Sequence, residues 1–418
     1  MIDKDLKIYD SVCTGCSACT EACYFPDEHG INPIQLTINN NGLSVPRINS
    51  DTCTSCMMCY KACPTEDKIF NHENINIESY KEKIIHAYYG YSQNHDHRFE
   101  SATAGIATEI ASYLLETQQV DGVVSSYQDE NAQILTKIFT DSEEVKKTKG
   151  SIYRQVSLLN GLEKKIKQGN HKKLLVIGLP CHIEGVKTLH KANKYLKKNI
   201  KFVTVALFCK QTKTEDFSNA VRNILHEKEK RTIIFRGKGW PGITRIEGRQ
   251  GISSSDIQFG LAWSTYAFTP DYCFSCSDPI GLVADIAIGD AWLPEYTNTD
   301  IIGSSLFITN SLTGEQIISN MMKKNILYVK EESKKKIIES QSYKHINYKL
   351  KHLKYKSSFF SDLIAHEKIP LKYNLFSHWI KINKKFSEFL YKKNLVTIIP
   401  PVILKLYTKI INLTWKYS

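Results

Sequence analysis

Apolar and polar residues alternate along the middle of the chain with two periods, one typical of helices and one typical of strands. Apolar side chains recur at helical spacing over Ile106–Leu115, and Val120–Val124 has the pattern of a short buried strand. Two further strand-like runs, Lys173–Ile177 and Lys201–Phe208, enclose a helical pattern over Glu184–Leu196. This alternation predicts a mixed α/β sheet covered by helices and leaves the order of its strands open.

The same pattern divides the chain into three regions. Residues 1–75 are rich in cysteine and turn residues and show little helical period, which indicates a small domain that folds around cofactors. Residues 76–325 carry the alternation of strand and helix and form the predicted core. Residues 326–418 are rich in lysine and aromatic residues and predict a helical C-terminal extension with a solvated face.

The last segment predicts a basic amphipathic helix after Pro400 and Pro401. Its polar face holds Lys405, Lys409, Asn412 and Lys416, and its apolar face holds Val402, Ile403, Leu406, Ile410, Leu413 and Tyr417. Such a helix packs on the protein's own core, forms an oligomer contact or makes a peripheral contact with an anionic membrane. The pattern favours the core or an oligomer contact, and we expect a homo-oligomer.

Composition is ordinary for a soluble globular protein of more than one domain. The chain has 418 residues, of which 42% are hydrophobic and 23% are charged, and it contains no run of 18 uncharged apolar residues. Its charged N-terminus lacks the apolar stretch of a secretory signal, so we expect a cytoplasmic location. The formal net charge of +12 is a weak indication of an anionic partner because it counts every cysteine as neutral, and we expect no nucleic-acid partner.

Eight of the twelve cysteines form a duplicated motif with the spacing C-x2-C-x2-C-x3-C. The first copy consists of Cys13, Cys16, Cys19 and Cys23, and the second consists of Cys53, Cys56, Cys59 and Cys63. With this spacing the first three thiolates bind one [4Fe-4S] cluster and the fourth binds the other cluster. We therefore predict a ferredoxin-like module with two [4Fe-4S] clusters. One is held by Cys13, Cys16, Cys19 and Cys63, and the other by Cys53, Cys56, Cys59 and Cys23.

Zinc and disulfides explain this motif less well than clusters do. Zinc ribbons use two separated C-x2-C pairs, and disulfides are rare in a reducing compartment. The second copy ends in Cys63-Pro64, as in bacterial ferredoxins, whereas Cys23 is followed by Tyr24. This departure leaves the ligands intact.

Four cysteines remain outside the motif, which is the number that a third cluster needs. Cys273 and Cys276 form a C-x2-C pair, whereas Cys181 and Cys209 each follow a predicted strand. Sites in α/β sheets gather at the carboxyl ends of strands. The pattern leaves three interpretations open, namely a third [4Fe-4S] cluster, a zinc site and buried structural thiols.

Several segments of the chain resemble the family of coenzyme F-420 hydrogenase/dehydrogenase beta subunits, and their order and spacing carry the resemblance. They are RFESATAGI from Arg98, KGSIYRQ from Lys149, GLPCHIEGV from Gly178, FRGKGW from Phe235 and YCFSCSDPIGLVADIAIGDAW from Tyr272. The resemblance implies a core that binds FAD beside a [4Fe-4S] cluster. By that likeness the cluster ligands are Cys181, Cys209, Cys273 and Cys276.

The resemblance also implies where the flavin binds. The candidate contacts are Thr103, Gly105, Gly150, Ser151, Tyr153 and Gln155. A helix N-terminus at Gly105 would favour a pyrophosphate. Ala104 departs from the family pattern, which usually has glycine there, and this methyl group would narrow the backbone's approach to a cofactor.

A second departure, at His182, gives a candidate proton donor, since glutamine is common at this position in the family. Tyr153 is a second candidate catalytic residue. The alternative for His182 is a packed histidine hydrogen-bonded to the backbone. Asp285 and Asp290 are expected to be strand-end and turn residues.

Together these features predict an iron–sulfur flavoprotein oxidoreductase. It would relay electrons from ferredoxin or a reduced deazaflavin through [4Fe-4S] clusters to FAD and on to a small-molecule substrate. One alternative is a non-catalytic electron-transfer subunit that feeds a partner enzyme, for example in a polysaccharide-assembly pathway. Another is a binding module with structural clusters. No Rossmann fingerprint supports direct use of NAD(P)H.

Overall fold

The computed structural model describes residues 12–23, 32–65, 77–360 and 370–415. Tyr24 and the predicted domain boundary near residue 75 lie outside the described residues. The architecture confirms the mixed α/β prediction, because a large mixed sheet follows a small cysteine-rich module.

The N-terminal module pairs two strands with two short helices. Strands β1 (Ile34–Ile38) and β2 (Ser44–Ile48) form an antiparallel hairpin. Helices α1 (Ala18–Ala22) and α2 (Met58–Lys61) each begin inside one copy of the cysteine motif. The duplicated sequence therefore folds as a structural repeat.

Matching positions of the two motif copies have the same unusual backbone conformation. Gly15 and Ser55 both have positive φ angles, of 71° and 55°. Ser17 and Met57 follow with φ angles of 72° and 62°. A left-handed conformation turns the chain tightly, and successive turns of this kind point several peptide N–H groups toward one point.

The core is an eight-stranded sheet among the described residues, in the order β13-β3-β12-β11-β7-β6-β4-β5. Its strands are β3 (His86–Ser92), β4 (Gly122–Gln128), β5 (Ile134–Phe139), β6 (Lys173–Gly178), β7 (Lys201–Leu207), β11 (Ile286–Asp290), β12 (Ser305–Thr309) and β13 (Leu327–Glu331). The central strands β4, β6, β7 and β11 are parallel, and the strands at both edges are antiparallel. A separate small sheet contains β8 (Ile233–Ile234), β9 (Ile243–Ile246) and β10 (Ile252–Ser253).

Helices connect these strands and cover both faces of the large sheet. They are α3 (Ile77–Lys83), α4 (His95–Glu100), α5 (Ile106–Glu116), α6 (Ser142–Lys146), α7 (Leu162–Gly169), α8 (Pro180–Ala192), α9 (Lys194–Asn199), α10 (Glu215–Ile224), α11 (Ile257–Ser264), α12 (Pro294–Thr297), α13 (Leu312–Lys323), α14 (Lys334–Ser340), α15 (Tyr343–Phe360), α16 (Leu371–Lys392) and α17 (Pro401–Thr414). Short 3-10 helices lie at Asp271–Ser275 and Leu395–Thr397.

Alternate residues of β6 belong to two different hydrophobic cores. Leu174 and Val176 pack in the core on one face, whereas Leu175 and Ile177 pack in the core on the other face. All of β6 except its ends is therefore buried, as expected of a parallel strand with both faces covered. This double coverage explains why the segment is apolar throughout.

The predicted helix over Ile106–Leu115 and the strands at Lys173 and Lys201 are confirmed. The prediction over Glu184–Leu196 was wrong in its bounds, since α8 begins at Pro180 and ends at Ala192. Proline at the first turn pre-sets the helical φ angle and lacks only an N–H that would be unpaired there. Asn193 then begins α9, because its side chain accepts a hydrogen bond from the Leu196 N–H at 3.0 Å.

The C-terminal region is helical, and the domain boundary predicted at residue 325 falls just before β13, the strand that completes the sheet edge. The apolar face predicted for the last helix is present in α17. The helix packs on the core through Leu404 and Ile411, whereas Ile403, Leu406 and Ile410 of the predicted face are exposed, and an oligomer contact there stays a prediction. The sequence pattern distinguishes apolar from polar faces but not a covered face from a bare one.

Candidate functional site: three cysteine quartets

Cysteines from both copies of the motif line one pocket of the small module. They are Cys13, Cys16, Cys19 and Cys63, the quartet predicted to share a cluster, together with Cys59 of the second quartet. Burial, with a smaller contribution from the nearby Cys63, raises the pKa of the Cys16 thiol to about 11. Such thiols stay protonated at neutral pH unless a metal replaces the proton.

The other predicted quartet is also brought together. Burial raises the pKa of Cys23 to about 11, with added contributions from Cys59, Cys56 and Cys53 in that order. Cys23 belongs to the first motif copy and the other three to the second. Cys23 therefore lies near the thiols of the second copy, and the crossed ligand assignment stays a prediction.

The four cysteines outside the motif line a second pocket, although they are far apart in sequence. They are Cys181, Cys209, Cys273 and Cys276. Burial raises the pKa of Cys181 well above its usual range, and Cys209 and Cys276 add to the effect. None of the twelve cysteines forms a disulfide, and no group of His, Cys, Asp or Glu among the described residues is arranged around a single metal ion.

Two of these cysteines are positioned by neighbouring parallel strands. Cys181 lies in the first turn of α8, directly beyond β6, and Cys209 lies just beyond β7. Because β6 and β7 pair in parallel, their carboxyl ends meet at the same edge of the sheet. Cys181 and Cys209 therefore lie at one edge of the sheet, and their role as cluster ligands stays a prediction.

The other two lie on a loop that polar contacts hold in place. Cys273 is in the 3-10 helix, and its Sγ accepts a hydrogen bond from the Thr212 N–H at 3.5 Å. Asp278 follows Cys276 and accepts hydrogen bonds from the backbone N–H groups of Leu282 and Val283 at 2.9 and 3.1 Å. These contacts fix both thiols toward the pocket.

Lys210 and Lys349 also line this second pocket, and neither was predicted from the sequence. The side chain of Lys349, on α15, is buried and donates a hydrogen bond to the backbone oxygen of Lys210. Its charge lowers the pKa of Cys209 and Cys273 against the larger opposing effect of burial. In the sequence, Lys349 stands in a lysine-rich run that resembles a solvated helix face, so nothing marks it out.

The two pockets adjoin each other. Thr14, Pro64 and Thr65 line both of them. Helix α8 lies beside both quartets, because Cys181 is in its first turn and Gly185 packs so closely against the small module that an added Cβ would lie 3.1 Å from the Cys16 Sγ. The first and third quartets therefore line neighbouring pockets.

Backbone and side-chain contacts join the small module to the core. The carboxylate of Glu21 accepts hydrogen bonds from the N–H groups of Gly161 and Glu163, at 2.8 and 3.0 Å, at the start of α7. The Gln155 Oε1 accepts one from the Ser44 N–H at 2.7 Å. A carboxylate at a helix N-terminus is a favourable electrostatic contact, so Glu21 stabilises this junction.

The segments in which flavin contacts are predicted meet around the FRGKGW loop. Arg236 donates to the Tyr153 hydroxyl at 3.4 Å. The Gly239 N–H donates to the Phe99 oxygen at 2.8 Å, just before the segment with Thr103 and Gly105. Gly105 has a φ angle of 75° and caps α5. These contacts bring the two predicted segments to one side of the core.

The predicted flavin contacts differ in the hydrogen bonds that they already make within the protein. The Thr103 Oγ1 donates to the Ser304 oxygen at 3.0 Å, and Gln155 reaches Ser44 of the small module. Gly150 has a φ angle of 124° with open space where a Cβ would stand. Within the described residues, Arg236 Nε and Gln155 Nε2 are buried donors without a partner. Arg236 Nε is therefore free to donate to a bound group, whereas Gln155 Nε2 lies against Gly15 of the small module.

His182 has the geometry of the packed alternative. Its Nδ1 accepts a hydrogen bond from the Leu179 N–H at 3.2 Å, at the start of α8. Burial lowers the pKa of His182 to about 4, so the ring is neutral at pH 7. This side chain holds the backbone that carries Cys181.

Asp285 and Asp290 lie at the two ends of β11, and both are structural in character. Asp285 accepts hydrogen bonds from Thr204 and Ser311 and so ties three elements together. Asp290 forms an ion pair with the buried Arg236 at 3.2 Å and accepts a hydrogen bond from Trp240 Nε1 at 3.1 Å. Asp290 thereby orients the arginine beside Tyr153.

Comparison with family models matches three parts of the chain. The model of the coenzyme F420 hydrogenase/dehydrogenase beta subunit matches residues 87–163 with its N-terminal part and residues 171–335 with its C-terminal part. A 4Fe-4S dicluster domain model matches residues 12–66.

Individual relatives are distant. The chain is 20% identical to one subunit of the F(420)H(2) dehydrogenase of Methanosarcina mazei, over 72% of this chain and 81% of that protein. It is 25% identical to the coenzyme F420-dependent sulfite reductase of Methanocaldococcus jannaschii, over 71% of this chain, and the match spans 45% of that longer protein. A chain of the F420-reducing [NiFe] hydrogenase complex from Methanosarcina barkeri shares the fold, with a TM-score of 0.54, 18% identity, and coverage of 70% of this chain and 99% of that one.

Proposed function

The chain belongs to the family of coenzyme F420 hydrogenase/dehydrogenase beta subunits, and from this premise we propose that it is an iron–sulfur flavoprotein that exchanges electrons with coenzyme F420 or ferredoxin. The observation that carries the proposal is the convergence of all four cysteines outside the motif on one pocket next to the first quartet. Cysteines with only a packing role would have no reason to gather in one pocket.

The donor set of this second pocket fits a third [4Fe-4S] cluster. Cys181, Cys209, Cys273 and Cys276 are four soft thiol ligands, which suit iron–sulfur clusters and zinc alike. A redox centre is favoured over zinc because the pocket adjoins another cysteine quartet. A cluster bound here would supply one-electron chemistry within a short distance of the ferredoxin-like module.

The residues around the FRGKGW loop fit a flavin. Arg236 offers an unpartnered buried N–H group, and Gly150 leaves the backbone open to a close approach. FAD would supply the step between one-electron carriers and a two-electron substrate. Arg236, held by Asp290, and the N-terminus of α5 are the groups that would hold its negative charge.

The chain's own residues shape the electrostatics of the third quartet. Each cluster with four thiolates is anionic, and Lys349 places a buried positive charge beside these ligands. The Thr212 N–H donates to the Cys273 sulfur, which also stabilises negative charge there. Both contacts would make the centre easier to reduce.

Anaerobic purification followed by iron, sulfide, zinc and flavin analysis tests the proposal. We expect about twelve irons and about one FAD per chain. Replacing Cys273 with serine should remove about four irons and leave the other eight in place. The matched control is Ser277→Ala, on the same loop, which should keep all of them.

Other metal contents would overturn parts of the proposal separately. About eight irons with one zinc would assign the third quartet to zinc. About eight irons without flavin would overturn the core assignment and leave the dicluster module intact.

A second experiment identifies the donor. Reduced coenzyme F420 and reduced ferredoxin are mixed in turn with the anaerobic protein, and bleaching of the cluster absorbance is followed. Rapid bleaching by one of them is expected, and bleaching by neither would contradict the proposed exchange. Because the relatives named above include part of a dehydrogenase and part of a hydrogenase complex, a relay subunit is the second candidate. Turnover of a small molecule by the isolated chain would exclude it.

A further inference from the structure

The two C-terminal helices expose a broad apolar stripe. On α16 the exposed side chains include Ile382 and Phe386, and on α17 they include Ile403, Leu406 and Ile410. Ile382 is 61% exposed and Leu406 is 59% exposed. A contiguous group of exposed apolar side chains of this size is unusual on a monomeric soluble protein. The stripe lies beyond residue 335, where the family match ends.

Contacts between α16 and α17 join their exposed faces into one surface. Trp379 Nε1 donates to Thr414 Oγ1 at 3.2 Å near one end, and the Tyr407 hydroxyl donates to Asn383 Oδ1 at 2.7 Å further along. The ring of Phe386 packs edge-on against Tyr407 with centroids 5.8 Å apart. The apolar side chains of the two helices therefore stand side by side.

The hairpin is held on the core by its opposite face, so the stripe points away from the protein. The Tyr391 hydroxyl accepts from the Ala262 N–H at 3.0 Å and donates to the Gln258 oxygen at 2.6 Å, both on α11. Leu390 and Leu404 pack in the same core as α11. These contacts fix the orientation of the stripe without covering it.

The charges on the hairpin are almost all positive. Residues 370–415 contain eight lysines and a single acidic residue, Glu388. The Glu388 carboxylate is already engaged, since it accepts from the Phe268 N–H at 2.8 Å and pairs with Lys384 at 2.9 Å. By helical spacing, Lys385 is next to Ile382 and Lys409 is next to Leu406, so lysines border the stripe on both helices.

From these features we propose that the α16–α17 hairpin is a docking surface for an anionic membrane. Large apolar side chains bordered by lysines suit the boundary between acyl chains and negatively charged headgroups. Lysine stems extend along the apolar surface while their ammonium groups reach the phosphates. Protein–protein interface cores, in contrast, are depleted of lysine. No helix among the described residues is long and apolar enough to cross a membrane, and the docking is peripheral.

Co-sedimentation of the full-length, anaerobically purified protein with lipid vesicles tests the proposal. The vesicles contain phosphatidylcholine alone or with about one third phosphatidylglycerol. We expect binding to the anionic vesicles that weakens as salt is raised, and little binding to the neutral ones. The double variants Ile382→Ser/Leu406→Ser and Lys385→Glu/Lys409→Glu should each bind at least about tenfold more weakly.

Matched controls carry the same chemical changes elsewhere on the surface. Leu312→Ser removes an 82% exposed leucine on α13, and Lys335→Glu reverses an exposed lysine on α14. Both should bind like the unmodified chain, and all variants should keep its iron content. Binding that is absent, or equal in stripe and control variants, overturns the proposal. A dimer in light scattering that the stripe variants dissociate and the control variants do not would also overturn the proposal, because a second copy would then cover the stripe.

Discussion

Replacement of Gly15 by alanine tests how the cysteine module is seated on the core. The φ angle of Gly15 is 71°, which costs an alanine about 1–2 kcal/mol. The new Cβ would lie 2.3 Å from the Gln155 Nε2 and 2.5 Å from its Cδ, so Gln155 has to move. That movement breaks the hydrogen bond from Ser44, which adds about 1 kcal/mol. The total expected loss is about 2–3 kcal/mol.

The assay is anaerobic thermal unfolding of the single and double variants, followed by absorbance of the clusters. In a Gln155→Ala background the clash is gone, and Gly15→Ala should cost only the backbone strain of about 1–2 kcal/mol. Gly42→Ala is the control, because Gly42 has the same φ angle of 71° and nothing within 4 Å of an added Cβ. Equal losses for Gly15→Ala and Gly42→Ala, or strict additivity with Gln155→Ala, would refute the reasoning.

Three further changes test the electrostatics of the core. Lys349→Met should lower the reduction potential of the third centre in an EPR redox titration, and Lys351→Met, on the same helix, should leave it unchanged. Burial, and then nearby lysines, depress the pKa of His345 in the folded protein, so only the unfolded chain takes up a proton as pH falls below about 6.5. Stability should therefore drop by about 1.4 kcal/mol per pH unit below that value, and His345→Asn should flatten the dependence of the thermal midpoint between pH 7.5 and 5.5. Arg236→Met leaves the partly buried Asp290 without its ion-pair partner but with its hydrogen bond from Trp240. It should destabilise the protein by about 1–3 kcal/mol in thermal unfolding and lower the flavin content, and an unchanged midpoint would contradict the ion-pair assignment.

The sequence predicted the parts of this structure that depend on local pattern. The cysteine spacing brings the thiols of each motif copy together, because ligands of one loop stay close whatever the rest of the chain does, and the assignment of each quartet to a cluster stays a prediction. The apolar runs at Lys173 and Lys201 predicted two strands, each followed by a cysteine, but left the strand order open. The parallel pairing of β6 and β7 in the structure places Cys181 and Cys209 at one edge of the sheet.

Features that depend on distant packing were not predictable. The sequence gives no sign that Lys349 enters the pocket of the third quartet, because a lysine in a basic helix is normally solvated. The contact of Gln155 with Ser44 depends on how two domains dock, which periodicity does not encode. The exposure of most of the apolar face of α17 was not predictable for the same reason, since an amphipathic pattern shows which side is apolar but not whether another element covers it.

The pocket of the third quartet has walls from the beginning, middle and end of the chain, since Thr14, Cys181 and Lys349 all line it. Contacts between such distant segments form late in folding, because long loops have to close first. The first two quartets need only the first 63 residues. During synthesis the N-terminal module is therefore ready for maturation long before the ribosome has released the segment that completes the last pocket.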